Sequence, residues 1–320
     1  MISRALILSI CTLSLGAEDP ANSVFRVNVD MVLLTFTVTD AKGRYVNGLK
    51  PSDVSIKEDG EPQKIVAFSE GTETSLQLTG IPADTFAGTK VFILFDTSNW
   101  MYTGFPYAAD AIADFVRTLD RTDSIAVYKF SRNLYRAVPL TPSRETAVSG
   151  VRSAVAGDDT ALYNALLLTL RDAAKTIGKK AVVVFSNGPD NASIIPPEDV
   201  AELAQSTGTV IYMISTQQAQ LEPISTAVFE RMTAATGGKA YFARNWNDEK
   251  RAFASIRDDL AHLYSLSYYP QQNPNRGWRS ITVKLNSEGL KKCHVRTRNG
   301  YRLQPSRIAR AEVTAEGESR

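Results

Sequence analysis

The chain has 320 residues, 43% of them hydrophobic and 22% charged, the make-up of a folded globular protein with room for two modest domains, and this excludes a disordered chain. Thirty-six basic residues oppose 34 acidic ones for a formal charge of +2, so no global field marks the chain for nucleic acid.

Met1, Ile2, Ser3 and Arg4 are followed by an apolar run from Ala5 to Leu15 and by the small residues Gly16 and Ala17. A charged start, a short apolar middle and small residues before a polar stretch predict a cleavable secretory signal over residues 1–17. The run is shorter than the ~20 residues a spanning helix needs, and no later segment is apolar enough to cross a membrane. The expectation is export to a periplasmic or extracellular compartment. Loss of the signal takes Cys11 with it and leaves Cys293 as the single thiol, so no internal disulfide is expected.

From Val24 to Ser69 the pattern is β, and residues 18–75 are expected to form part of a sandwich. "FRVNVDMVLLTFTVTD" alternates apolar and polar residues, with a phase shift at Leu33 and Leu34 that predicts a bulge or bend. Asp59-Gly60 stands where a tight hairpin needs positive φ. Residues 76–89, rich in Gly, Thr and Pro, have the composition of a linker.

Over residues 90–263 strand and helix alternate. "VFILF", "IAVYKF", "AVVVF" and "VIYMI" are continuous apolar runs suited to strands covered on both faces. Helical spacings lie between them, such as Ile112, Phe115, Val116 and Leu119, and "LYRAVPL" follows "IAVYKF" closely enough to be an antiparallel edge strand. The sum predicts an α/β domain, doubly wound on a mostly parallel sheet. After Leu263 strands return in "YSLSYYP", "WRSITVKL" and "KKCHVRTRNGYRL". In the last of these, alternation puts Lys292, His294, Arg296 and Arg298 on one face, which predicts a solvated edge guarded by charge. Each end alone makes a thin sheet, so residues 18–75 and 264–304 are expected to pair into one Ig-like β-sandwich with the α/β domain inserted between them. Residues 305–320 have the composition of a disordered tail.

Ligands of an open parallel sheet sit outside the carboxyl ends of the strands. Asp96, Thr97 and Ser98 follow "VFILF"; Asp158, Asp159 and Thr160 open the stretch "TALYNALLLTL"; Ser186, Asn187 and Asp190 follow "AVVVF". In these motifs, and in the layout of residues 24–304, the chain resembles von Willebrand factor A domains, in particular the secreted VWFA-related family described from Acidobacteria. The resemblance implies a metal-ion-dependent adhesion site built from D-x-S-x-S after the first strand, a Thr in a second loop and an Asp in a third. Asp96 and Ser98 match the first motif, whose second Ser is replaced by Trp100; Thr160 matches the Thr, and Asn187 stands in place of the Asp. The implied cofactor is Mg²⁺, with Mn²⁺ or Ca²⁺ as alternatives, held by Asp96, Ser98, Thr160 and Asn187. It is held weakly, because Asn187 removes a negative charge. Asn99, Trp100, Asp159 and Asp190 are the candidates for ligand contact, since Trp is enriched in binding hot spots and the acidic residues lie close in sequence.

A structural reading of the same residues stands beside this one. Asp96 and Ser98 would cap the first helix or its turn, Asp159 would cap a helix from Thr160, Asn187-Gly188 would be a turn pair and Trp100 would fold inward. In that case no cofactor binds and the module is a metal-independent scaffold. Enzymatic readings are weaker. Asp96, Ser186-Asn187 and Asp258-Asp259 resemble parts of a haloacid-dehalogenase-type phosphotransferase, but Ser98 stands where that chemistry needs a second Asp, and Asp258-Asp259 fall in a helical stretch. There is no G-x-S-x-G elbow for serine hydrolysis. "NAS" at Asn191 fits a glycosylation sequon. The expected function is a non-enzymatic binding or adhesion module for a protein or cell-envelope ligand, with its oligomeric state left open.

Overall fold

The computed structural model describes residues 31–71, 73–77, 85–101, 104–187, 189–216 and 223–303. The expected signal over 1–17, residues 78–84 of the expected linker and the tail over 305–320 lie outside them. The chain begins with β1 (Val32–Thr39), β2 (Val54–Glu58), β3 (Glu61–Gln63), β4 (Ile65–Glu70) and β5 (Glu73–Gln77). It continues with β6 (Lys90–Asp96), α1 (Phe105–Thr118), β7 (Ser124–Phe130), β8 (Leu134–Thr141), α2 (Arg144–Arg152), α3 (Leu162–Ala173) and β9 (Lys180–Ser186). Then come α4 (Pro197–Thr207), β10 (Thr209–Ser215), α5 (Pro223–Ala235), β11 (Ala240–Phe242) and α6 (Trp246–Ala261), before β12 (Tyr264–Tyr268), β13 (Trp278–Leu285), β14 (His294–Thr297) and β15 (Gly300–Arg302).

The central sheet has the order β11-β10-β9-β6-β7-β8 and is parallel except for β8, which runs antiparallel to β7 at the edge. On one face Ile93, Phe95 and Val183 pack on Ile112 and Phe115 of α1 and Phe253 and Ile256 of α6. On the other, Phe92, Leu94 and Val182 pack on Leu162, Leu166 and Leu170 of α3 and Val200 of α4. Strands covered on both faces need apolar side chains at every position, which is why "VFILF" and "AVVVF" do not alternate. The expected doubly wound domain is borne out. Two of its elements gave no expectation, β11 and α2; α2 is opened by Ser143, whose Oγ accepts from the Thr146 N–H.

The sandwich consists of a five-stranded sheet, β14-β1-β12-β4-β5, and a four-stranded one, β15-β13-β2-β3. Both sheets combine strands from the two ends of the chain: β14, β1, β12 and β4 alternate between the ends in the first, and in the second a C-terminal pair, β15-β13, meets an N-terminal pair, β2-β3, at the β13–β2 ladder. Leu34, Phe36, Phe68, Tyr264, Leu266, Ile56 and Ile281 form the shared core. Asp59 (φ 48°) and Gly60 (φ 88°) turn β2 into β3, both with the positive φ that a two-residue hairpin requires.

Three expectations are corrected. There is no bulge at Leu33: β1 pairs with β12 in continuous register from Val32 to Phe36. The phase shift instead marks a strand buried on both faces, with Leu34 and Phe36 in the sandwich core and Leu33 against Val66, Ala67 and Phe86. "KKCHVRTRNGYRL" is two strands: β14 joins β1 in one sheet and β15 joins β13 in the other. Gly300 makes that change of sheet possible, since a Cβ there would lie 2.4 Å from the Arg279 carbonyl oxygen. Finally, the basic face is not a solvated edge. Lys292 and His294 are exposed, but Arg296 pairs with Asp259 of α6 at 2.5 Å, and buried Arg298 donates to the carbonyls of Gln205 and Leu33. These two arginines belong to the joint between sandwich and α/β domain.

Candidate functional site

β6 ends in Asp96, a fully buried carboxylate at the carboxyl edge of the sheet. Its Oδ1 accepts the Ser98 N–H at 2.8 Å and its Oδ2 accepts the Ser186 hydroxyl, from the end of β9, at 2.6 Å. Burial pushes this carboxyl up from its ordinary value, and the Ser186 hydroxyl, the backbone N–H groups of Ser98 and Asn187 and the nearby Ser98 hydroxyl, which lies outside hydrogen-bond geometry, oppose the shift. Thr97 turns away: its N–H and its hydroxyl both donate to the Phe130 carbonyl, at 2.7 and 2.9 Å, which ties the first loop to the end of β7.

The second loop is stitched to the first. Asn99 N–H donates to the Asp158 carbonyl at 2.9 Å and Gly157 N–H to the Thr97 carbonyl at 2.7 Å. A Cβ on Gly157 would lie 2.4 Å from Ser131 Oγ, so the approach needs glycine. The third loop holds the second: Asn191 Oδ1 accepts the Thr160 N–H at 2.9 Å, and the Asn191 and Ala192 amides donate back to the Thr160 carbonyl at 3.1 Å.

Ser98, Thr160 and Asn187 are each 0% exposed, and Ser98 Oγ, Thr160 Oγ1 and both amide atoms of Asn187 have no hydrogen-bond partner among the described residues. A buried polar group left unpaired costs roughly 1–3 kcal/mol, so several at one place point to a polar guest. With Asp96 these are the four residues named by the resemblance. One carboxylate, two hydroxyls and an amide oxygen are hard donors, which fit Mg²⁺, Mn²⁺ or Ca²⁺ rather than a thiolate-seeking metal. Among the described residues no group of three or more His, Cys, Asp or Glu stands ready to hold a metal, and Asp96 is the one carboxylate among the four residues named.

The remaining candidates divide. Asn99 is exposed beside the site, Asp158 is exposed and Asp159 half-buried. Trp100 lies in a short 3₁₀ turn, Asn99–Met101, and its side chain is outside the described residues. Asp159 does not cap a helix from Thr160: α3 starts at Leu162, and Ala161 in the cap position offers no side-chain bond. Asp190 serves that helix instead, its Oδ2 accepting the Tyr163 N–H at 3.0 Å while Oδ1 accepts the Ser193 and Ala192 amides. Both its oxygens are engaged in structure. Nor do Asp96 and Ser98 cap α1, which follows Gly104; they form a turn with each other. Asp258 and Asp259 lie within α6, where Asp259 accepts from Tyr45 Oη and pairs with Arg296, so they add nothing to Asp96 for phosphoryl transfer. Asn191, which the sequence marks only as a sequon, is the positioning residue for Thr160.

The carboxyl edge of a doubly wound sheet, where the buried polar groups lie, is the place at which open α/β domains generally bind their ligands. The profile of the von Willebrand factor type A domain matches residues 90–255, just over half of the chain, and the chain belongs to that family. Such domains are generally non-enzymatic modules of protein interaction and adhesion, and often bind a divalent metal at an adhesion site. No curated protein sequence matches the chain. Among solved structures it is similar to BatB from Bacteroides thetaiotaomicron (17% identity, 54% of this chain and 99% of that one, TM-score 0.47). It is also similar to a von Willebrand factor type A protein from Catenulispora acidiphila (10% identity, 86% of this chain and 74% of that one, TM-score 0.48). A third likeness is to proximal thread matrix protein 1 from the mussel byssus with a zinc-occupied MIDAS motif (15% identity, 58% and 49%, TM-score 0.45).

Proposed function

We propose that this chain is an exported, non-enzymatic adhesion-type module that holds a hard divalent cation at Asp96, Ser98, Thr160 and Asn187 and there engages an oxygen-bearing group of a protein or cell-envelope ligand. The observation that carries the reading is the set of buried, unpartnered side-chain atoms of Ser98, Thr160 and Asn187 grouped around Asp96. When bound, the cation would supply a coordination position for a ligand oxygen. The chain's own part is to pre-orient Asp96 through Ser186 and to fix Thr160 through Asn191.

A contact rim supports the same reading. Helices that return from a parallel sheet begin at its carboxyl edge, and Tyr107 near the start of α1, Ile224 near that of α5 and Trp246 at that of α6 are 68, 80 and 53% exposed. Val155 and Ile194, in the loops on either side of α3's entry, are 78 and 87% exposed. Exposed apolar side chains gathered at one edge mark a binding surface. The loss of a second carboxylate at Asn187 favours the alternative, a scaffold that uses this rim without metal.

Thermal unfolding in EDTA and in millimolar Mg²⁺, Mn²⁺ or Ca²⁺, run beside Asp96→Ala, separates the two. A cation that binds the native state raises the midpoint with concentration. The wild type is expected to shift and Asp96→Ala to stay flat; an unresponsive wild type leaves the scaffold reading.

A further inference from the structure

A cavity of about 340 Å³ opens at the amino edge of the central sheet, where it meets the sandwich and at the opposite end from Asp96. Its walls include Leu33 of β1, Ile177 after α3, Ser206 and Thr207 at the end of α4, and two basic side chains, Lys180 and Arg298. Lys180 is 9% exposed and Arg298 6%. Neither has an ion pair among the described residues. Lys180 Nζ meets the Thr176 carbonyl at a long 3.4 Å, while Arg298 donates to the Gln205 and Leu33 carbonyls and its Nε finds no acceptor.

The other groups nearby offset them only in part: Glu58 acts on Arg298 from a distance and the Tyr301 ring lies 5.4 Å from its guanidinium, but neither forms an ion pair with it. Buried Glu58 pairs with Arg279 and accepts the Tyr268 and Tyr301 hydroxyls. Arg302, at the rim, is matched by Glu202. Lys90 stands beside Lys180 in register and adds to the positive field. Buried charges are normally paired or neutralised, because an uncompensated one is costly. Burial, followed by Arg298 and Lys90, lowers the Lys180 ammonium to about 8, so it is still charged at neutral pH.

We propose that this cavity is a binding site for a small carboxylate with an apolar body, its carboxylate lying between Lys180 and Arg298 and its body against Leu33 and Ile177. A carboxylate matches the donors better than a phosphate does. Thr207 already donates to the Leu203 and Ala204 carbonyls and Tyr301 to Glu58, which leaves the Thr85 and Ser206 hydroxyls to add to the two cations, enough for the two oxygens of a carboxylate. The apolar walls would also be wasted on a bare inorganic ion. The site is independent of the metal centre.

The test titrates octanoate, and separately inorganic phosphate, into the full chain in EDTA, with unfolding midpoint and heat of binding as readouts. Lys180→Met keeps the aliphatic stem and removes an unpaired buried charge, so it is expected to fold at least as well as wild type. Octanoate is expected to raise the wild-type midpoint saturably and to bind Lys180→Met about tenfold or more weakly, the loss of one charged hydrogen bond. No wild-type shift, or an equal shift in Lys180→Met, overturns the site. Phosphate binding as tight as octanoate overturns the assignment to an apolar carboxylate. Asp30 and Asp84 adjoin the lining residues Met31 and Thr85 in sequence. Octanoate binding that appears only in Asp30→Asn or Asp84→Asn makes the chain's own carboxylate the occupant, and the ligand proposal falls.

Discussion

Ser186 Oγ donates to Asp96 Oδ2 at 2.6 Å, bridging the ends of β9 and β6, so the carboxylate of the candidate centre is oriented without help from a cation. The next residue, Asn187, is fully buried and contributes an amide where the family pattern has a carboxylate. Asn187→Asp is therefore expected to raise Mg²⁺ and Mn²⁺ affinity by about tenfold or more, since these ions are commonly held through one or two carboxylates. In EDTA the same variant should be less stable than wild type, because two buried carboxylates then share a site. Calorimetric titration and unfolding in EDTA check the two halves; unchanged affinity would remove Asn187 from the ligand set.

Gly157 tests the loop that carries Thr160. A Cβ there would meet Ser131 Oγ at 2.4 Å and Ser131 Cβ at 2.6 Å. Gly157→Ala must push apart the loops that the Gly157–Thr97 and Asn99–Asp158 bonds hold together. The expected cost is about 1–3 kcal/mol of overpacking strain, and the metal-induced rise in midpoint should shrink as well. A variant that is destabilised yet keeps its full metal response would detach Thr160 from the centre.

What the sequence made legible follows from how far each signal reaches. The unbroken apolar runs that became β6, β7, β9 and β10, and the turn at Asp59-Gly60, are local patterns, and they predicted the α/β domain and the hairpin correctly. Strand-end placement singled out the loops that carry Asp96, Ser98, Thr160 and Asn187, and the resemblance to the family's adhesion-site motif chose those four residues within them. Arg296 and Arg298 were misjudged because alternation reports which face a residue lies on, not what covers that face; here α6, the end of α4 and β1 cover it. Asn191 was missed for a similar reason. Its function is a contact across 31 residues with the Thr160 backbone, and no spacing rule encodes that.

The domain joint makes a prediction of its own. Asp259, 3% exposed, accepts from Tyr45 Oη at 2.5 Å and pairs with Arg296 at 2.5 Å, linking α6 to the loop after β1 and to β14. Arg296 keeps 30% exposure, so removing Asp259 leaves a partly solvated charge and an unpaired Tyr45 hydroxyl, at roughly 1–3 kcal/mol. Asp259→Ala should lose about that much in denaturant unfolding, and the double variant Asp259→Leu with Arg296→Met should recover most of it. If the double variant is as unstable as the single one, the pair is not the source of the loss.

Lys180 gives the pH prediction, and Lys179, 1% exposed and donating to the Gly71 carbonyl, shares it. Burial lowers both ammonium groups from 10.5 to about 8 in the folded chain. Below that value both states hold the protons and the burial penalty is felt in full. As pH rises through 8 the folded chain sheds protons that the unfolded chain keeps, so stability rises, by up to about 3 kcal/mol for each lysine at the top of its range. Tyr128 and Tyr163, raised to about 12, act in the opposite sense once the unfolded tyrosines titrate near 10, so the clean window lies between about pH 8 and about pH 9.5. Over that window the wild type should gain stability faster than Lys180→Met, narrowing whatever advantage the variant holds at pH 7. Saturating octanoate should flatten the wild-type rise, because a bound carboxylate keeps Lys180 protonated. Denaturant unfolding at intervals across the window measures both, and parallel curves for wild type and Lys180→Met would mean that the Lys180 ammonium is not held at low pKa by its burial.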